Sequence, residues 1–451
     1  MVYGNLTTNG LASEILKIQA SLSNLYCFIA KIEPWPNEAN VPSPLTTDSY
    51  VKSIHKNMIA MKKVNTNDVS PVIERIDWTS GTTYTQYSDS ASLFELDENK
   101  KLINHFYIKN SYDQVFKCLY NGNSNLHPTG IPSTYEPLVD FSFDPTFGYI
   151  TTADGYKWKY LFSIDSGSKL KFFDDNWIPV PVTSVYSDIR NSTAGYGEIS
   201  TINVYNTGSN YTNDSGVGIS TTIIIDGDGI GASAVAQITG NSVVQVLMSN
   251  TGSNYTYANV SIIPNIGFSG NGSVLTASVS PIGGHGFNLL QELGCRTILI
   301  TSQFNGTESG TIPDSIDYRE VGLISYPLTS SGTANGFVYR LTHDIVVSPG
   351  GGVYTQDEFV YQGDSLATAT FYGRVLNFDS NNNILYLINT NGSITSNEIL
   401  KGDTSKVIRV AFQESVQPIL PTSGDILYVE NRSKVQRTTN GIEQFRLTIS
   451  Y

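Results

Sequence analysis

Metal and acid–base chemistry would first show in the histidines. The chain has five, at positions 55, 105, 127, 285 and 343. None falls in the HxH or HExxH spacing that turns two imidazoles toward one ion. No GxSxG occurs either, so the glycine-flanked elbow that exposes a hydrolase serine is absent from the sequence. Asp226-Gly227-Asp228-Gly229 places two carboxylates in a glycine-rich loop, as a calcium site does. The EF-hand spacing then puts Ile230 at its fifth position and Gln237 at its twelfth, where an oxygen ligand and a bidentate Glu are needed. A turn between two strands accounts for it better, because Asp and Gly are turn formers. Gly227, Gly229 and Gly231 are spaced like part of a phosphate loop, but no helix pattern follows to offer its N-terminus. Gly283-Gly284-His285-Gly286 would suit an oxyanion loop; with no nucleophile motif to serve, it is read as a flexible junction. Carboxylates ~5–10 Å apart can come from any pair of strands, which keeps glycosidase chemistry as the enzymatic alternative. No residue pattern positively supports catalysis. The expectation is a non-enzyme with no catalytic residue, cofactor or metal.

The elements that would position such groups are strands. Of 451 residues, 40% are hydrophobic, enough for real cores, while only 15% are charged. Gly, Ser, Thr and Asn fill the difference, with 27 Tyr. Such residues suit strands and tight turns and serve poorly in long exposed helices. A formal net charge of −13, with no basic block beyond Lys62-Lys63, argues against nucleic acid as a partner. No apolar run approaches the ~20 residues of a membrane span, so no membrane contact is expected. The first residues, Met1 to Ser13, lack a basic stretch followed by an apolar core, so folding in a cytoplasm is expected rather than Sec export. Cys27, Cys118 and Cys295 are widely separated and read as reduced, buried thiols.

Two helices are predicted. Leu11, Ile15, Ile18 and Leu22 recur at helical spacing ahead of a β-type run, Leu25 to Ile32. A second helix starts at Asp48 as N-cap and carries a stripe of Val51, Ile54, Met58 and Met61. Elsewhere short β-branched or aromatic runs stand between turns, among them Thr221 to Ile225, Arg296 to Thr301, Ile384 to Ile388 and Phe445 to Ile449.

One repeat organises the middle of the chain. Val204 to Thr212 contains Asn-Thr-Gly-Ser-Asn-Tyr-Thr, which returns 44 residues later within Met248 to Thr256. A single copy could hardly bury its own apolar face, so the two predict a duplicated β module. Its turn residues are Gly208 and Tyr211 in one copy, Gly252 and Tyr255 in the other. A later region carries turn signals at Gly350-Gly351-Gly352, Asn381-Asn382-Asn383, Asn391-Gly392 and Lys401-Gly402-Asp403. Asn391-Gly392 reads as the strongest hairpin signal of the chain. The predicted organisation is a core β domain built from 1–194, 283–334 and the closing strands 421–451. The repeat module at 195–282 and a β-rich region at 335–420 are inserted into it. The fold class is mainly β, a multi-domain β-sandwich architecture with a few short helices near the N-terminus.

Several segments, in this order, resemble the gene-eight baseplate wedge subunits of T-even-like contractile-tailed bacteriophages. Ile32-Glu33-Pro34-Trp35 is similar to that family's strand into an E-P-W corner, and Thr47-Asp48 to the start of its helix. Val72 to Trp78 resembles V-I-x-R-x-D-W, and Tyr156 to Ile164 resembles Y-x-W-x-Y-L-F-x-I. Tyr318 to Ile324 resembles its [FY]-R-x-[IV] strand, and Gly424 to Arg432 its G-[DE]-x-[IL]-Y-x-E-N-R. The resemblance covers about residues 10–190, 285–330 and 420–451, and leaves 195–282 and 335–420 without a counterpart. It implies a β-sandwich-type structural protein of the virion that forms a homodimer, joins neighbouring wedge proteins of the tail baseplate, and is assembled in the host cytoplasm. It implies no cofactor and no catalysis.

Trp35, Trp78, Trp158 and Trp177 all lie in the resembling parts. Large aromatics anchor cores and interfaces alike, which makes these four the candidate packing or interface anchors. The competing reading is a carbohydrate- or receptor-binding tail component, with glycan contact through the repeat module at Tyr205, Tyr211, Tyr255 and Tyr257. A tail-associated glycan hydrolase ranks behind it.

Overall fold

The computed structural model describes residues 24–30, 33–140, 148–182, 197–212, 221–308, 312–415 and 417–450. The helix predicted over Leu11 to Leu22 lies outside them. The protein is mainly β, and among the described residues its helices are Asp48–Asn57, Ser166–Phe172 and the single turn Leu289–Glu292. Two compact units divide the described residues, with Ser70–Leu299 and the end from Ile449 in the first, and the described residues from 24 to Val69 with Ile300–Thr448 in the second.

In the first unit, Tyr107–Lys109, Gln114–Tyr120, Lys157–Ser163 and Ile150–Thr151 form an antiparallel sheet in that order. Cys118 stands opposite Trp158, and Ile108 opposite Phe116. Apolar residues from these strands close on Ile73, Ile76, Leu290 and Leu293 in one core. Val69–Glu74 adds a pairing with Trp177–Pro179, Ile73 opposite Ile178.

The repeat module belongs to this unit, and its two copies exchange strands. The first copy supplies Ile199–Ser209, Thr221–Gly227 and Ser233–Thr239; the second supplies Ser242–Asn250, Ala258–Pro264 and Asn271–Val279. The first strand of each copy pairs with the last strand of the other, and the two middle strands pair together around Ile224 and Ser261. Equivalent bonds also cross, Tyr211 N donating to Asn241 O and Tyr255 N to Gly197 O, each 3.0 Å. The result is a pseudo-twofold module with a shared core of Ile202, Tyr211, Val246, Tyr255 and Leu275. Strand exchange buries an apolar face that neither copy could cover alone.

In the second unit, Val338–Arg340, Met58–Lys63, Leu25–Ala30, Ile316–Ser325 and Asp425–Arg437 lie side by side in that order. Ile316–Ser325 is buried at all ten positions, as a strand covered on both faces must be. His343–Val347, Ile384–Gly392, Phe371–Asp379, Phe359–Gln362, Ile399–Gly402 and Ile408–Ser415 close into a six-stranded barrel, which leaves no sheet edge open. Ile345, Val360, Phe371, Val375, Leu385 and Leu387 fill it. Arg409, 4% exposed, seals one end by donating to the carbonyls of Ser348, Gly350 and Gly352 at 2.8–3.0 Å.

Three local expectations are corrected. Asp48 is not the N-cap of its helix: Thr47 is, its hydroxyl accepting from Tyr50 N at 3.4 Å. The stripe also breaks, since Met58 and Met61 belong to the next strand, opposite Ala30 and Phe28. Asn391-Gly392 is not a hairpin turn but the end of a strand, opposite Tyr372 and Phe371. The hairpin closes instead at Asp379–Asn383, where the Asp379 carboxylate accepts from the N–H groups of Asn381 and Asn382. Gly392, at φ +81°, lies where a side chain would strike the carbonyl of Thr370.

Candidate functional site

Four of the wedge-like segments meet in the second unit. Trp35, in the proline-flanked corner, donates its indole N–H to Arg432 O at 2.8 Å, and its backbone N–H to Glu38 at 3.1 Å. Glu38 also binds Arg319 at 2.6 Å and Lys434 N at 2.9 Å. The Arg319 guanidinium holds the Glu38 carboxyl below its ordinary range. Tyr50, from the Thr47-capped helix, donates to Glu320 and lies 3.0 Å from Asn431. Asn431 in turn donates to Pro42 O at 2.9 Å. The corner, the helix, the Tyr318-Arg319-Glu320 strand and the Glu430-Asn431-Arg432 segment therefore form one polar junction. Trp35 stays half-buried at its edge.

The other two segments share the core of the first unit. Trp158 is fully buried, stacked on Tyr156 at 5.3 Å and edge-on to Tyr84. Trp78 is partly buried against that core and donates to Ser133 Oγ at 3.1 Å. Trp177 packs on Val72, Phe172 and Leu299 and lines a cleft of about 490 Å³ with Tyr107 and Lys101. Trp158 is thus a core residue, while Trp35, Trp78 and Trp177 keep part of their surface available for contact.

The repeat turns hold equivalent positions. Gly208 and Gly252 have φ of +64° and +67°, and their N–H groups donate to the side chains of Asn206 and Asn250 at 3.0 and 2.9 Å. Tyr211 and Tyr255 are 2% and 6% exposed, spent on the module core. The Asp226-to-Gly229 loop is a turn, in which Asp228 accepts from Thr256 N at 2.8 Å and Thr256 Oγ1 at 2.5 Å. No group of three metal-ligating side chains is found among the described residues.

One constellation was missed by the sequence reading. Lys117, in the buried strand Gln114–Tyr120, donates to Glu292 Oε1 at 2.8 Å. His285 Nδ1 lies 2.7 Å from the same oxygen, and Nε2 lies 3.1 Å from Ser200 Oγ. Gly286 N also donates to Glu292, at 2.5 Å. Contact with a carboxylate oxygen requires the proton on Nδ1, which leaves Nε2 to accept from Ser200. Burial, with Lys117 alongside, pushes the His285 pKa down to about 4. Burial alone would raise the Glu292 carboxyl, but Lys117 and His285 outweigh it and hold it far below the ordinary range. The loop Gly283–Gly286, expected as a flexible junction, is instead wrapped around this buried imidazole.

Ser–His–Glu in this order is an acyl-hydrolase arrangement, so its surroundings decide what it can do. Ser200 is 8% exposed, on a strand whose neighbouring residues pair with Val279 and Ser278. The Tyr87 ring lies 3.5 Å from Lys117 Nζ and edge-on to His285, roofing the cluster. As placed, it is a charge knot in the core. Only the Gly283-Gly284-His285-Gly286 loop stood out in the sequence, because the other members come from separate segments. The cysteine thiols are buried as well, and burial pushes Cys27 up to about 12.

No family model and no curated protein matches the chain.

Proposed function

We propose that this chain is a structural subunit of a contractile phage tail baseplate wedge, binding a second copy of itself and neighbouring wedge proteins without catalysing a reaction. The observation that carries the reading is the convergence of resembling segments. Glu33–Trp35, the Thr47-capped helix, Tyr318–Ile324 and Gly424–Arg432 lie up to about 400 residues apart, yet Trp35, Glu38, Tyr50, Arg319 and Asn431 join them in one hydrogen-bonded junction. A half-buried Trp on a stiff Pro-Trp-Pro corner also suits an interface anchor, because little conformational freedom is left to lose on docking.

The experiment is to locate the chain in intact virions by electron microscopy with a specific antibody fragment, and to measure its mass by light scattering. Label at the tail baseplate and a dimer in solution are the expected results. Label elsewhere on the particle, or a clean monomer at micromolar concentration, would overturn the reading.

A further inference from the structure

The first unit holds a cleft of about 440 Å³ between the 86–90 loop, the end of the strand Gln114–Tyr120, and the base of the repeat module. That volume lies within the ~300–1,000 Å³ of small-molecule sites. Its walls carry Tyr87, Tyr120 and Tyr205 beside Gln86, Asn123 and Ser278. The geometry points to a binding site for the neutral sugar units of an oligosaccharide.

Three observations carry this. First, Gln86, Asn123 and Ser278 line this one cleft, and each carries a side-chain oxygen buried in its wall with no hydrogen-bond partner among the described residues. Ser278 is only 4% exposed. A buried polar atom left unpaired costs about 1–3 kcal/mol, so three oxygens just behind one wall gain when a side-chain rotation turns them to a ligand's hydroxyl. An apolar ligand would leave them unsatisfied.

Second, the lining charge fits a neutral ligand. Among the described residues no Lys, Arg or His lines the cleft, and its one carboxylate there, Asp89, already accepts from Val279 N at 3.0 Å. Phosphate, sulfate and acidic sugars would meet no cation there. Amide and hydroxyl groups both donate and accept, as sugar hydroxyls do. Tyrosine supplies flat, amphipathic surface for a sugar ring at little cost in entropy.

Third, the site is held in shape before any ligand arrives. Tyr87 donates to Val279 O at 3.1 Å, and Tyr120 donates to Asn123 O at 3.1 Å. Asn125 N donates to Tyr205 O at 2.8 Å, and Lys157 to Asn203 at 2.9 Å, tying the module base to its surroundings. Walls fixed in this way lose little freedom on binding.

The test uses the full chain on an array of neutral oligosaccharides, followed by titration with maltotriose, tri-N-acetylchitotriose and any array hit, with sialyllactose as the acidic comparator. Tyr205→Ala removes one wall, and Thr276→Trp fills the cleft from an exposed strand position. Tyr257→Ala, 52% exposed and outside the cleft, is the control. Thermal melts check that each variant is folded; Asn123→Ala replaces either cleft variant that is not. The expected result is binding of at least one neutral oligosaccharide, weakened about tenfold or more in both cleft variants and unchanged in the control. No neutral binder at millimolar concentration, equal binding by both cleft variants, or a preference for sialyllactose would overturn the assignment.

Discussion

Replacing Lys117 by Met tests the charge knot most directly. Met keeps the unbranched stem of the side chain but removes the ammonium that faces Glu292 at 2.8 Å, with both partners no more than 2% exposed. Breaking a buried ion pair from one side costs about 3–5 kcal/mol. The low end is expected here, ~3 kcal/mol, because His285 Nδ1 and Gly286 N still donate to the stranded carboxylate. Glu292→Gln should cost a similar ~3 kcal/mol by leaving the ammonium buried. The double variant should cost clearly less than the sum, by about 2 kcal/mol, since neither charge is then stranded. The pH dependence supplies a second readout. With a folded His285 pKa of about 4 against 6.5 unfolded, the unfolded chain binds more protons between those values. Stability of the wild type therefore falls as pH drops through that window. Without Lys117 repelling its proton, His285 titrates higher in the folded state, so this acid loss shrinks. Urea melts followed by circular dichroism at pH 8 and pH 5 should show the gap between wild type and Lys117→Met narrowing at pH 5. A cost below about 1 kcal/mol at pH 8, or a gap that widens in acid, would refute the reasoning.

Trp35→Ala should lower stability by only about 1–2 kcal/mol, one hydrogen bond and partial burial, while light scattering shows the dimer weakened; no change in either would mean an idle surface residue. Excising residues 206–273 and joining the ends should leave a folded chain by circular dichroism and limited proteolysis. The base strands stay paired, with Ile202 opposite Ala277 and Val204 opposite Leu275, so an unfolded product would mean the module is not separable.

Composition and turn chemistry determined the mainly β character, because β-branched and aromatic runs between Gly, Asn and Asp have few other stable forms. Strand positions followed: Thr221 to Ile225 lies within Thr221–Gly227, and Phe445 to Ile449 within Ile442–Ser450. The repeat was legible as two copies of Asn-Thr-Gly-Ser-Asn-Tyr-Thr. That the copies exchange strands was not, because each sequence fits a pairing within its own copy as well as one with the other. Local signals misled where a distant partner held the deciding bond. Met58 and Met61 fit a helix stripe until pairing with Ala30 and Phe28 claimed them for a strand, and Asn391-Gly392 fits a turn until the chain near Thr370 packs beside it. The charge knot lay furthest from reach. Lys117, Ser200 and Glu292 are unremarkable in sequence and His285 stood out only for its glycine loop; only the closing of the sheet, the module base and the Gly283–Gly286 loop around them puts their charges and protons within hydrogen-bonding distance.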